Sequence, residues 1–245
     1  MNEPAKTPIK LLIHGASGRM GQALLRLAAQ RQDLSVVAAY SRTSPAQRVI
    51  DGVPHFATGE LPGAGDFDVA IDFSLPQGFD PVLALCAQRG KALVSGTTGL
   101  SSAQNTAINE AAARIAVVWA ANYSLGVAVL TELVRRAAAA LPGWDCDVIE
   151  AHHTRKLDAP SGTALHLGAA AAIGRGEEPH YASLRAGDIV GEHTVQFASA
   201  GERLELIHRA TSRDIFARGA LEAALRVAHQ GPGRYGLAEL MFPNL

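Results

Sequence analysis

Fourteen consecutive residues, Glu150-Ala-His152-His153-Thr-Arg155-Lys156-Leu-Asp158-Ala-Pro160-Ser161-Gly162-Thr163, hold two histidines, an arginine, a lysine and a Pro-Ser-Gly-Thr turn. Residues of these types make a seat for a small anion. Pro160 stops any preceding regular element, Ser161 is a good N-cap, and the Ala- and Leu-rich run from Thr163 to Ile173 reads as a helix. The amides of Gly162 and Thr163 then face outward at the positive end of that helix, where a carboxylate or phosphate is held by backbone alone. Lys156 and the two histidines bring charge and a transferable proton to the same point. Metal binding fits poorly, because no His-x-x-x-His stands on a helix and Cys86 and Cys146 lack metal-type spacing.

Such a loop needs a scaffold, and the N-terminal part of the chain supplies the signature of one. Ile9–His14 is an apolar run of buried-strand type, Gly15-Ala16-Ser17-Gly18-Arg19-Met20-Gly21 follows it, and Gln22 opens a segment with helical spacing. Strand, glycine turn and helix are the opening of a dinucleotide-binding fold. Gly15 permits the tight turn, Gly18 lets backbone approach a pyrophosphate, and Gly21 lets the helix sit close on the strand. The next strand, Leu34–Tyr40, ends in Ser41-Arg42. That position meets the adenosine ribose, where an acid selects the free 2′-hydroxyl and an arginine accommodates a 2′-phosphate. Here the acid is missing, so Arg42 directs the expectation to NADPH as the preferred cofactor, with NADH possible.

The β/α rhythm continues through strands at 68–73, 91–95 and 115–119 and helices at 76–89 and 101–114, which predicts a parallel, doubly wound, Rossmann-like sheet. The strand ends carry Phe73-Ser74, Gly96-Thr97-Thr98-Gly99 and Ala120-Ala121-Asn122-Tyr123-Ser124, small polar turns able to line a nicotinamide-ribose pocket. Beyond Tyr123 the rhythm breaks. A helix at 125–141, a strand at 144–150, the helix after Ser161, and strands at 181–185, 192–198 and 203–210, the last two a hairpin through Ser199-Ala200-Gly201-Glu202, predict a smaller α+β domain. The segment 214–228 is helical again and returns to the first domain. The expected division is therefore 1–123 with 212–245 as a discontinuous dinucleotide-binding domain, and 124–211 as a substrate-binding and oligomerisation domain. The hairpin alternates Val195 and Phe197, and Leu204 and Leu206, giving the sheet an apolar face to cover.

A chain of 245 residues that is 48% hydrophobic can bury one large core or two modest ones, and a net charge of −1 gives no global attraction to nucleic acid or membranes. No stretch approaches the eighteen or so apolar residues of a membrane helix, residues 1–8 lack the apolar core of a signal peptide, and two lone cysteines agree with a reducing cytoplasm. Small molecules are the expected partners. A short-chain dehydrogenase would need Tyr-x-x-x-Lys, and Tyr40, Tyr123, Tyr181 and Tyr235 all lack a lysine four residues on.

Taken together, Gly15–Gly21, Gly96–Gly99, Ala121–Ser124, Glu150-Ala-His-His153 through Lys156, Asp158–Thr163 and Arg185-Ala-Gly-Asp-Ile-Val-Gly-Glu-His-Thr194 resemble the 4-hydroxy-tetrahydrodipicolinate reductase (dihydrodipicolinate reductase) family. The resemblance runs in order over nearly the whole chain. It implies an NAD(P)H-dependent oxidoreductase that reduces a cyclic dicarboxylate, 4-hydroxy-tetrahydrodipicolinate, to tetrahydrodipicolinate in the diaminopimelate route to lysine, as a cytoplasmic homotetramer. It further implies His152 as proton donor and acceptor, Lys156 as a second proton donor, His153 as a substrate ligand, and Gly162 and Thr163 as amide donors to a substrate carboxylate. On the cofactor side it implies Gly15, Ala16, Ser17, Gly18, Arg19 and Met20, then Gly96, Thr97 and Thr98, then Ala120, Ala121, Asn122 and Tyr123, with Arg42 at the 2′-phosphate. Ser41 replaces the family's acid before that arginine, and the segment 173–181 is short for the family. Which of His152 and Lys156 gives the proton, and which only stabilises charge, stays open.

Overall fold

The computed structural model describes residues 7–243. Within them lie two compact units, one formed by the chain up to Tyr123 and from Phe216 onward, the other by Ser124–Ile215. The chain re-enters the first unit at 216, slightly beyond the expected 212.

In the first unit, β1 (Ile9–His14), α1 (Arg19–Ala28), β2 (Leu34–Ser41), β3 (Val49–Ile50), β4 (Val53–Ala57), β5 (Val69–Asp72), α2 (Pro76–Arg89), β6 (Ala92–Ser95), α3 (Ser102–Ala112) and β7 (Ala116–Trp119) follow one another. The sheet order is β12-β7-β6-β5-β1-β2-β4-β3, where β12 is Gly233–Tyr235, and every pairing except that of β3 with β4 is parallel. Leu11, Leu12 and Ile13 are all fully buried, so both faces of the sheet are covered, as a parallel sheet requires. Leu12, Tyr40, Phe67, Phe79, Leu93, Ile108 and Val117 belong to one core cluster that includes buried side chains of α2 and α3. The sequence pattern passes over β3, β4 and β12, strands of two to five residues, too short to show alternation. On each side of β1 the chain runs outward in opposite directions, so the end of β1 is the switch point at which such sheets bind nucleotides.

The second unit contains α4 (Leu125–Ala140), β8 (Asp145–His152), α5 (Gly162–Arg175), β9 (His180–Arg185), β10 (Gly191–Ser199) and β11 (Glu202–Ala210), and α6 (Asp214–Val227) begins at its boundary. Its sheet runs β11-β10-β8-β9. Burial alternates along β8 and β10, the mark of a sheet with one face packed. That face carries Cys146, Val148, Val195 and Phe197, which share a core with Leu130 and Val134 of α4 and Leu167 and Ala171 of α5. Val195 and Phe197 of the hairpin are therefore covered within the subunit by two helices, with Leu206 packed beside them, while Leu204 stays exposed. Ser199 and Glu202 close the hairpin as a register pair around Ala200-Gly201, as the sequence predicts.

Candidate active site

Strand periodicity decides what β8 delivers at its end. Cys146, Val148, Glu150 and His152 all point to the helix-covered face, so the last two stand in line with the start of α5. Glu150 is fully buried, yet its carboxylate is satisfied on every side. It takes two parallel bonds of 2.8 Å from the Arg185 guanidinium, one of 3.3 Å from the Ser161 amide, and meets His152 Nδ1 at 2.5 Å. Burial raises its pKa, but bonds from Arg185, Ser183 and His152 outweigh this and hold it down to about 2. An ionised carboxylate can only accept, so His152 must carry its proton on Nδ1.

His193 stands opposite Glu150 on β10, and His208 opposite His193 on β11. The His193 ring meets that of His152 edge to face at 5.1 Å and pairs through Nε2 with Ser161 Oγ at 3.1 Å. Burial, followed by the nearby His152, pushes His193 down to about 4, so it is neutral at physiological pH. Ser161 caps α5 by accepting from the Ala164 amide, and Ser124 caps α4 through Val127 while meeting His208 Nε2 at 3.3 Å. Each helix thus has its capping serine tied to a histidine of the sheet.

Lys156 lies on the loop between β8 and α5 and makes two 2.8 Å contacts with the Asp158 carboxylate. The Lys156 bond, with a further one from the Gly162 amide, lowers the Asp158 pKa. A carboxylate of the chain itself, Asp158, thus lies against Lys156 and the Gly162 amide, where the sequence leads one to expect an external anion. His153 is half-buried, its Nδ1 has no hydrogen-bond partner among the described residues, and burial followed by Arg213 and Arg155 lowers its pKa. His152 ends β8, His153 and Lys156 lie on the loop that follows, and Gly162 and Thr163 open α5.

At the other end of the chemistry, His14, Tyr40, Asp72, Ser95 and Trp119 form a single row of strand ends in the first unit. Gly15 has φ +81°, and a Cβ there would lie 2.4 Å from the Phe73 carbonyl oxygen, so only glycine makes this turn. The amides of Gly15 and Ala16 donate to the Tyr40 carbonyl, that of Gly18 to Gly15, and that of Ser17 to Ser41 Oγ. What remains for a pyrophosphate is the first turn of α1 at Arg19 and Met20, which has neither a side-chain cap nor an acidic residue. Arg42 is exposed and has no hydrogen bond or ion pair among the described residues. This open helix end and a free guanidinium at the end of β2 fit a phosphorylated dinucleotide.

Two of the expected cofactor residues present no side chain outward. Thr97 Oγ1 donates to Asp72, and the Tyr123 hydroxyl, fully buried, bonds to the carbonyls of Ser95 and Val118. Both hold the strand ends in place, while Gly96, Thr98, Ala120 and Ala121 offer backbone and small surfaces. The sequence reading gave no role to the group at the centre of this row. Asp72 receives Ser95 Oγ, Thr97 Oγ1 and the Ser74 amide and pairs with His14 Nδ1 at 2.8 Å. Burial opposes ionisation of Asp72, but the His14 bond leads the contacts that keep its pKa low. The available signal was a polar residue at the last position of two apolar strands. Glu150, Arg185 and His193 were quoted as part of motifs but given no role, because their partners lie on different strands.

The chain matches the family models described as "Dihydrodipicolinate reductase, N-terminus" over residues 9–123 and "Dihydrodipicolinate reductase, C-terminus" over residues 126–241. It is 69% identical over 237 residues to 4-hydroxy-tetrahydrodipicolinate reductase of Stenotrophomonas maltophilia (strain K279a), covering 96% of this chain and 99% of that one. The same-named protein of Xanthomonas axonopodis pv. citri (strain 306) is 69% identical over 233 residues, covering 95% and 98%. Among solved structures, a dipicolinate-bound dihydrodipicolinate reductase from Paenisporosarcina sp. TG-14 superimposes with a TM-score of 0.83 at 23% identity, over 94% of this chain and 98% of that one.

Proposed function

This chain belongs to the dihydrodipicolinate reductase family, and we propose from that premise that the loop from Glu150 to Thr163 is its substrate seat and the turn from Gly15 to Met20, with Arg42, its cofactor seat. The chain is an NAD(P)H-dependent oxidoreductase of lysine biosynthesis that reduces 4-hydroxy-tetrahydrodipicolinate to tetrahydrodipicolinate. The reaction takes up a hydride and a proton and releases the 4-hydroxyl as water. Bound nicotinamide supplies the hydride. The protein must fix a dianionic ring, deliver the proton and stabilise the charge that develops as the hydride arrives.

The observation that carries the assignment is the meeting of Lys156, the α5 amides and His152 on one loop, with an ionised Glu150 behind the histidine. On this reading one substrate carboxylate takes the place of Asp158 on Lys156 and the Gly162 and Thr163 amides, His153 binds the substrate, and His152 gives the proton. Lys156 then places positive charge beside the reacting ring. Freshly made product of the preceding synthase, added to protein and NADPH, should cause loss of reduced-nicotinamide absorbance. No oxidation by wild-type protein with either NADPH or NADH would defeat the reading.

We further propose NADPH as the preferred cofactor, on the free Arg42 and the missing acid at Ser41, and a homotetramer as the working form. Support for assembly comes from the face of the second sheet opposite α4 and α5, which carries Ile149, Leu184 and Ile207, the last two substantially exposed. A monomer in light scattering at micromolar concentration would remove that claim. The cytoplasm is the proposed location, in keeping with two free, buried cysteines.

A further inference from the structure

The segment Arg185–Thr194 has no task in the chemistry described so far, although three of its residues converge on His152. Arg185 reaches from the end of β9 to clamp Glu150, and its second nitrogen also donates to the Asp158 carbonyl. His193 lays its ring against the other side of His152. Gly191 lies where a Cβ would stand 3.0 Å from His152 Nε2 and 3.3 Å from Cδ2, so a larger residue would crowd that nitrogen. Nε2 has no hydrogen-bond partner among the described residues, whereas Nδ1 is held at 2.5 Å.

We propose that Glu150 is the positioning residue of the proton step, fixing His152 as the Nδ1–H tautomer so that Nε2 is its exchanging atom, and that Arg185 keeps Glu150 charged and aimed. The inference rests on the reading of His152 as proton donor and deepens it. In the step, the Nε2–H bond breaks, its electron pair stays on nitrogen, and the proton passes to the electron-rich ring atom of the substrate. The lone pair left on Nε2 is reprotonated from water before the next turnover. Throughout, the Nδ1 proton stays against the carboxylate, so the ring cannot turn or change tautomer between cycles. The titratable and charged groups beside His152 are Glu150 on its own strand, its register partner Arg185 on β9, His193 on β10, and His153, which follows it in the chain; among the described residues only Glu150 meets its ring nitrogen. The logic is that of a carboxylate orienting a catalytic imidazole, built here along one strand, β8, with the arginine supplied by its neighbour β9.

The first test needs no variant. Imidazole ¹⁵N shifts of the full-length protein should show His152 protonated at Nδ1 both in its neutral ring and in the doubly protonated ring that donates from Nε2, and a neutral ring protonated on Nε2 alone would overturn the proposal. Glu150→Gln, which keeps the shape but can present its amide N–H to the ring, should lower kcat by roughly thirtyfold or more and move the pH profile of kcat. NADPH affinity should stay within about threefold, while Glu150→Asp should recover part of the rate. A Glu150→Gln enzyme with unchanged kcat and pH profile would sink the idea. Should that variant fail to fold, Gly191→Ala, which leaves the clamp intact, should lower kcat more than it raises KM; the reverse split would count against Nε2. Undiminished turnover in His152→Ala would instead defeat the underlying reading of the site.

Discussion

Lys156 is held by a neighbour that is itself exposed, so this ion pair contributes little to the fold. Lys156→Ala should lower kcat/KM by at least about a hundredfold and leave NADPH binding, followed by fluorescence, nearly unchanged. A loss under tenfold, about 1.4 kcal/mol, would mark it as a solvated charge. Arg42 carries the corresponding expectation for the cofactor. A charge-assisted pair with a 2′-phosphate is worth about 1.5–3 kcal/mol, so NADPH should be favoured by roughly ten- to a hundredfold in kcat/KM. Arg42→Ala should erase most of this by weakening NADPH alone, and a variant that keeps the preference would show the phosphate held elsewhere. Ser41→Glu is a poor route to NADH use, because Ser41 is buried and its hydroxyl accepts from the Ser17 amide. Residue types and spacing were enough to nominate Lys156 and the histidines and to predict the helix start after Ser161. They could not show that Asp158 closes on Lys156, or that Thr97 and Tyr123 turn inward, since both depend on which neighbour reaches first.

The two long helices of the second unit start alike, with a serine cap bonded to the amide three residues on and to a histidine below. Replacing either serine by alanine should cost about 1 kcal/mol of stability, read as a lower denaturant midpoint. Only Ser161→Ala should also raise KM for substrate, because the proposed substrate seat uses the amides at the start of α5 and none from α4. Equal KM effects from both variants would show that the α5 start has no special role. The helices were legible in the sequence to within two or three residues, since caps, Pro76, Gly90 and Gly176 mark their ends. The register of β8 with β9 and β10 was not legible. A parallel neighbour on one side and an antiparallel one on the other leave no local pattern, and that register is what brings Glu150, Arg185 and His193 together.

At the scale of the molecule, charge burial in the second unit makes stability depend on pH in two stages. His193 has a folded pKa near 4 against 6.5 for a free imidazole, so the unfolded chain binds a proton first as pH falls. Its contribution is intact above pH 6.5 and is lost between 6.5 and about 4, on the order of 3 kcal/mol in all. Glu150, lowered to about 2, adds a second loss, beginning as pH falls through the ordinary carboxylate range and complete near pH 2. Calorimetry should show Tm falling from about pH 6.5 downward. His193→Gln should flatten the upper part of that fall and leave the lower part, and a Tm constant between pH 6.5 and 4 would contradict the assignment. The two-unit plan was readable because β/α alternation ends visibly at Tyr123. The return point was less visible, because α6 runs through it without a break.

With the substrate seat proposed above, the clasp between Asp158 and Lys156 would make substrate binding an exchange of one carboxylate for another. An incoming anion gains only the difference between its own hold on Lys156 and the Gly162 amide and the hold that Asp158 gives up. The discount is common to every ligand using that seat, whatever the rest of the ligand looks like. Asp158→Asn should therefore tighten a series of carboxylate inhibitors by one shared factor, with their ranking preserved. Factors that scatter from ligand to ligand would mean that Asp158 touches the ligands themselves. The resting enzyme would then owe its indifference to the many carboxylates of a cell to an occupant that leaves only for a better one.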